Sequence, residues 1–163
     1  MWLTSGWNCN PYTGRLAWRT AATGQVSVAA SATKSPKSTG DGALPDVCAL
    51  LTSAEVSALA GGKQVVQVDP DGAKPGDSVR HCQWQMSGAR LAIFLSPTTA
   101  SEFTQAHGQT QTVPDIGDAA YMSSGHLYVR HGNIQVDVYA TSGSEAAGEK
   151  LAKSAAQKVV ERL

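Results

Sequence analysis

Charge, aromatic residues and cysteine are all scarce in this chain, and each scarcity closes off a class of function. Charged residues are 16% of the 163, and acids and bases balance to a formal net charge of +0. Without a basic field the chain has nothing to hold a nucleic-acid backbone, and without an acidic block it has no solvating tail. Nucleic acid is therefore not an expected partner. No window reaches the roughly 20 apolar residues of a membrane-spanning helix, so no transmembrane span is expected. The three cysteines show no C-x-x-C, and no histidine pair has H-x₃-H spacing, so neither zinc nor another metal is expected. Successive glycines of a phosphate loop are missing from both "VPDIGDAAY" and "AGGKQ", and no cofactor motif stands in their place.

The opening segment "MWLTSGWNCNPYTGRLAWRT" carries Trp2, Trp7 and Trp18 but no basic leader, apolar run or small-residue cleavage site. Cys9 lies in "GWNCN", which is not the small-residue setting of a lipid-attachment cysteine. Three readings stay open here: a disordered extension, a peripheral strand, or a misassigned start in place of a real leader. From Thr20 to Leu44 the chain is small and polar. Such a segment cannot bury enough surface to offset its ordering entropy, so it reads as a flexible tether. The expected division is an extension and tether over 1–44 and one folded domain over 45–163. No internal repeat is present.

What the domain does contain is clear punctuation. "DVCALLTSAEVSALAGG" reads as a capped helix with Cys48 at its entrance. Thr52 and Glu55 form a capping box, Leu51, Val56, Leu59 and Ala60 give an apolar side, and Gly61-Gly62 ends it. A strand "QVVQV" follows, then the loop "DPDGAKPGDS". Thr99 and Glu102 form a second box, opening a helix through Phe103 and Ala106 to Gly108. Ser142 and Glu145 suggest a third, before a C-terminal helix in which Ala147, Leu151, Ala155 and Val159 recur every four residues. Lys158 and Arg162 would complement the dipole at its end.

Two hairpin systems lie between these helices. In "QWQMSGARLAIF" a loop at Gly88-Ala89 would pair Met86 with Leu91, Trp84 with Ile93 and Cys82 with Leu95, putting all six on one face. In "AAYMSSGHLYVRHGNIQVDVY" a Ser124-Gly125 loop would pair Met122 with Leu127 and Ala120 with Val129. A His131-Gly132 loop would pair Val129 with Ile134 and Leu127 with Val136. The expected fold is α+β: an antiparallel sheet of two hairpin systems packed against N- and C-terminal helices, with a flexible N-terminal extension.

Candidate sites follow from this register. Cys48 and Cys82 are either a disulfide stapling the first helix to a central strand or two buried free thiols of a cytosolic partner-binding domain. The first reading is expected, and it implies an oxidising compartment. On the outer face of the meander, Ser123, His126 and Asp137 would form a row across three strands. A catalytic triad has these residue types, but Ser123 sits on a hairpin shoulder rather than on a strained turn with oxyanion donors. A cross-strand polar ladder is the expected role, so the chain is not expected to be an enzyme. The next row, Tyr121, Tyr128 and Gln135, is flanked by Arg130 and Tyr139. It reads as a ligand- or partner-binding surface or as ordinary cross-strand aromatic pairing. Phe94 and Gln83 would extend that surface or pack under the second helix. His81 and His107 read as isolated surface histidines, and Gly117-Asp118 as a turn before a strand.

Taken in order, "DVCALLTSAEVSALAGG", "HCQW" and "VPDIGDAAYMSSGHLYVRHGNIQVDVYA" with the closing helix resemble small actinobacterial cell-envelope lipoprotein domains, a family of unknown function. The resemblance runs from about Asp46 to Leu163. It implies a signal peptide, a lipidated cysteine and a tether before the domain, although neither leader nor lipobox is evident here. By resemblance Cys48 and Cys82 match the family's paired cysteines, and Gly117–Tyr121 its glycine–aspartate turn. The expectation is therefore an uncharacterised, lipoprotein-like extracytoplasmic binding domain, tethered to the membrane through a leader. Its partner would be a protein, a lipid or a small ligand.

Overall fold

Capping residues and glycines decide where the chain turns, and the computed structural model follows most of them. It describes residues 43–71, 74 and 76–163. The N-terminal extension with Cys9, and nearly all of the expected tether, lie outside them.

"DVCALLTSAEVSALAGG" makes two helices rather than the single one expected. Asp46 caps α1 (Val47–Leu50), its carboxylate accepting from the Cys48 amide. The chain then extends at Leu51, and the Thr52–Glu55 box starts α2 (Ser53–Leu59). The second capping box is the physical reason for the break, because an N-cap residue takes extended rather than helical dihedrals. Leu50 and Leu51 are both buried at this corner.

The strands are β1 (Val65–Pro70), β2 (Arg80–Met86), β3 (Ala89–Pro97), β4 (Gln111–Thr112), β5 (Ala119–Ser123), β6 (His126–His131) and β7 (Ile134–Ser142). They form one seven-stranded sheet in the order β1-β2-β3-β7-β6-β5-β4, antiparallel throughout. Helix α3 (Ala100–His107) opens on the Thr99–Glu102 box as expected. Helix α4 (Glu145–Val160) closes the chain. The fold is thus α+β, with its two hairpin systems joined along β3 and β7.

One hairpin register is as expected: Ser124-Gly125 joins β5 to β6, with Met122 opposite Leu127 and Ala120 opposite Val129. Two others are displaced by two residues. The β2–β3 loop is Ser87-Gly88, so Trp84 faces Leu91 and Cys82 faces Ile93. The β6–β7 loop is Gly132-Asn133, so Val129 faces Val136 and Leu127 faces Val138. A shift of two leaves every side chain on its own face. Cys82, Trp84, Met86, Leu91, Ile93 and Leu95 are accordingly all buried on one side.

That side is the core, covered by α1, α2 and α4. The cap of α4 is Ser144, whose hydroxyl accepts from the Ala147 amide, while Ser142 ends β7. The buried stripe of α4 runs through Gly148, Leu151, Ala152, Ala155, Ala156 and Val159. Gly148 lets the helix lie against β7, since a Cβ there would stand 2.7 Å from the Ala140 carbonyl oxygen. Arg162, expected as a dipole complement, instead grips α2: its guanidinium donates to both Glu55 carboxylate oxygens and to the Leu50 carbonyl. The Glu55 carboxyl falls from 4.5 to about 2, chiefly through that hydrogen bond to Arg162 and secondarily through the Thr52 amide.

The cysteines meet as a disulfide, Cys48–Cys82, with 5.2 Å between Cα atoms. It fastens α1 to the second strand of the sheet. In the chain-entropy account, closing a loop of 34 residues contributes about 4 kcal/mol.

Candidate functional site

The outer face of the sheet is polar and aromatic, and the true register rearranges its rows. His126 lies opposite Tyr139 rather than Asp137, Tyr128 opposite Asp137, and Arg130 opposite Gln135. Ser123 does lie opposite His126, and Tyr121 opposite Tyr128. The register also carries the face onto β3, where Phe94 faces Asp137 and Ala92 faces Tyr139.

Although not directly opposed, His126 and Asp137 meet on the diagonal, Nδ1 to Oδ1 at 2.7 Å. The carboxylate only accepts, so the imidazole Nδ1–H donates. Their side chains are 32% and 20% exposed. His126 leans on two rings, 5.7 Å from Tyr128 and 5.0 Å from Tyr139 between centroids. Among the described residues the Ser123 hydroxyl makes no hydrogen bond to His126, so the row holds the aspartate–histidine half of a triad without the other half.

Helix α3 crosses the same face at its far end. Phe103, 1% exposed, packs on Tyr121 with centroids 5.7 Å apart. One turn later His107 stacks on Tyr128 at 4.0 Å and 17°, and its Nε2 lies 3.2 Å from Gln135 Oε1. His107 is therefore a packing element and not an isolated surface residue. The same correction applies to His81, which stacks on Phe94 at 5.3 Å. The phenol of Tyr128 is pushed above its ordinary range, first by burial and then by the neighbouring Asp137 charge.

Gly117 and Asp118 form a structural clamp. Gly117 has φ +60°, and a Cβ on it would fall 2.5 Å from the Arg130 carbonyl oxygen. The Asp118 carboxylate accepts from the Gly132 amide at 2.8 Å and from Arg130 Nη1 at 3.0 Å, pinning the β6–β7 turn. Arg130 is thus engaged in holding a hairpin, with a further bond to the Gly132 carbonyl at 2.9 Å.

What remains open is the opposite end of the sheet, where α4 begins. Strand β7 runs past the start of β6: of the neighbouring strands only β3 pairs with residues 140–142, because the chain turns away at Ser124-Gly125. The gap forms a cleft of about 450 Å³. Tyr139, Met122 and Ala140 supply apolar wall, and the β5–β6 turn, the β7–α4 turn and Glu145 and Glu149 of α4 complete it. Ser124 holds the left-handed conformation at φ 52°, and Gly125 sits against the Tyr139 ring, within 3.8 Å of Cε2 for a Cβ there. Tyr139 is the one predicted site residue that lines both the outer face and this cleft. The remaining wall residues are not legible in the sequence, where Ser142 reads as a helix cap and not as the end of β7.

Among the described residues no group of histidines, cysteines and carboxylates is arranged to hold a metal ion. No helix among them is long and apolar enough to cross a membrane. Compared with protein-family models, with curated proteins and with solved structures, the chain finds no match.

Proposed function

We propose that this is a non-enzymatic, extracytoplasmic domain of the cell envelope that binds a ligand in the cleft between the β5–β6 turn and the start of α4. The observation carrying the proposal is the cleft itself: about 450 Å³, within the range of small-molecule sites, with an aromatic wall and several convergent polar groups. The Cys48–Cys82 disulfide supports an oxidising compartment, as does the resemblance to envelope lipoprotein domains. It argues against the cytosolic alternative, in which both thiols would stay reduced. The Tyr121–Tyr128 part of the face, overlaid by α3, is less suited to contact than Tyr139.

The test is native mass spectrometry of the protein isolated without reductant. An added mass retained by the wild type and lost from Tyr139→Ala supports the reading. No added mass in either protein, or equal retention in both, contradicts it.

A second reading, hydrolysis, is favoured by one observation, the 2.7 Å His126–Asp137 hydrogen bond. It requires Ser123 as nucleophile. If p-nitrophenyl acetate is turned over and Ser123→Ala abolishes that turnover, the hydrolytic reading replaces the binding one.

A further inference from the structure

The wall of the cleft is built onto a titratable group. Tyr139 lines the cleft, and its ring rests on His126 with centroids 5.0 Å apart and planes inclined at 36°. His126 in turn is held by Asp137 at 2.7 Å. We infer that protonation of His126 sets the position of Tyr139 and so makes ligand binding in the cleft proton-linked. This rests on the cleft reading above and adds its regulation.

The groups around His126 decide the direction. From β7 it is faced by the Asp137 carboxylate and the Tyr139 ring, and along β6 by Tyr128. From β5 its cross-strand neighbour is the uncharged Ser123. Helix α3 contributes His107, which stacks on Tyr128 and meets Gln135. Arg90, on β3, is engaged with Gln85 at 3.3 Å. Glu145 and Glu149 of α4 stand on the other side of Tyr139, across the cleft.

The neutral imidazole makes a single hydrogen bond to Asp137. As a cation it adds ion-pair attraction to that already charge-assisted bond and sits within cation–π reach of the Tyr139 ring. Both contacts strengthen together, and the ring becomes fixed as a wall. A wall fixed in advance costs a ligand less ordering on binding. Acidification through the range where imidazoles exchange protons, about pH 8 to about pH 5, therefore tightens the cleft. By linkage, a ligand in the cleft favours uptake of a proton at His126.

Ligand-free protein provides the deciding measurement. In an NMR titration over that range, the Tyr139 ring and the Ser124, Gly125 and Thr141 amides shift with the same midpoint as the His126 imidazole. In His126→Gln and in Asp137→Asn this shared response is lost or reduced. Cleft resonances that do not move, or that move equally in both variants, overturn the inference. Indole, uncharged throughout, serves as probe: its Kd falls about threefold or more on acidification in the wild type and is flat in His126→Gln. A Kd equally flat in the wild type also overturns it. Failure of indole to bind at any pH counts against the cleft reading, and the ligand-free shifts then decide the coupling alone.

Discussion

Arg162, in the last turn of the chain, and Glu55, in the first turn of α2, form a two-pronged ion pair that also caps the Leu50 carbonyl. A single guanidinium thus joins the end of the domain to its beginning. The same carboxylate completes the Thr52 capping box, so one side chain serves helix start and tertiary closure together.

This pair gives the domain a defined acid limit. The Glu55 carboxyl is lowered from 4.5 to about 2, so the folded state binds its proton less well than the unfolded chain does. The corresponding stability is fully present above about pH 4.5 and is lost as pH falls toward 2. Allowing for partial exposure of both partners, it amounts to about 1–2 kcal/mol. Urea denaturation from pH 6 to about pH 3 shows this loss in the wild type. Glu55→Gln is weaker at neutral pH and has a flatter pH profile.

The disulfide is a larger contribution. Reduction, or Cys48→Ala with Cys82→Ala, removes about 4 kcal/mol in the chain-entropy account. For a domain of this size the thermal midpoint falls by roughly 10 °C or more. Calorimetry with and without reductant measures it directly. An unchanged midpoint would show that the staple is dispensable.

Gly117 is predicted to be the least replaceable turn residue. Gly117→Ala forces a Cβ against the Arg130 carbonyl at 2.5 Å and keeps a strained positive φ of +60°. Backbone cannot yield as a side-chain tip does, so a loss of about 2–3 kcal/mol is expected. Asp118→Ala, which only unpins the turn, costs about 1 kcal/mol per lost hydrogen bond. Equilibrium unfolding of the two variants, measured side by side, checks the ranking.

Much of the fold could be read from local chemistry. Capping boxes at Thr52 and Thr99 start helices where they stand, and period-two alternation sorts the strands into faces. Alternation is blind, however, to a displacement of two residues, which moves no side chain across the sheet. The turns at Ser87-Gly88 and Gly132-Asn133 each lie one residue from the expected place, which shifts the pairing by two. At Ser124-Gly125, where both residues take positive φ, the turn chemistry was unambiguous and the register came out right. The overhang of β7, and with it the cleft, was hidden because Ser142 reads as a helix cap and not as the end of the strand. His107 was hidden differently. Nothing local places α3 over the sheet, although Phe103 and His107, four apart, do share one helical side.

The central claim is that the cleft beside Tyr139 is where this domain binds. It is tested most directly by mapping a fragment library onto the protein by NMR, without prior choice of ligand. The account predicts that shift changes gather on Ser124, Gly125, Tyr139 and the 141–145 turn, and that Tyr139→Ala removes them. Fragments that leave these residues unmoved, and collect instead along Tyr121 and Tyr128 or nowhere, would contradict it.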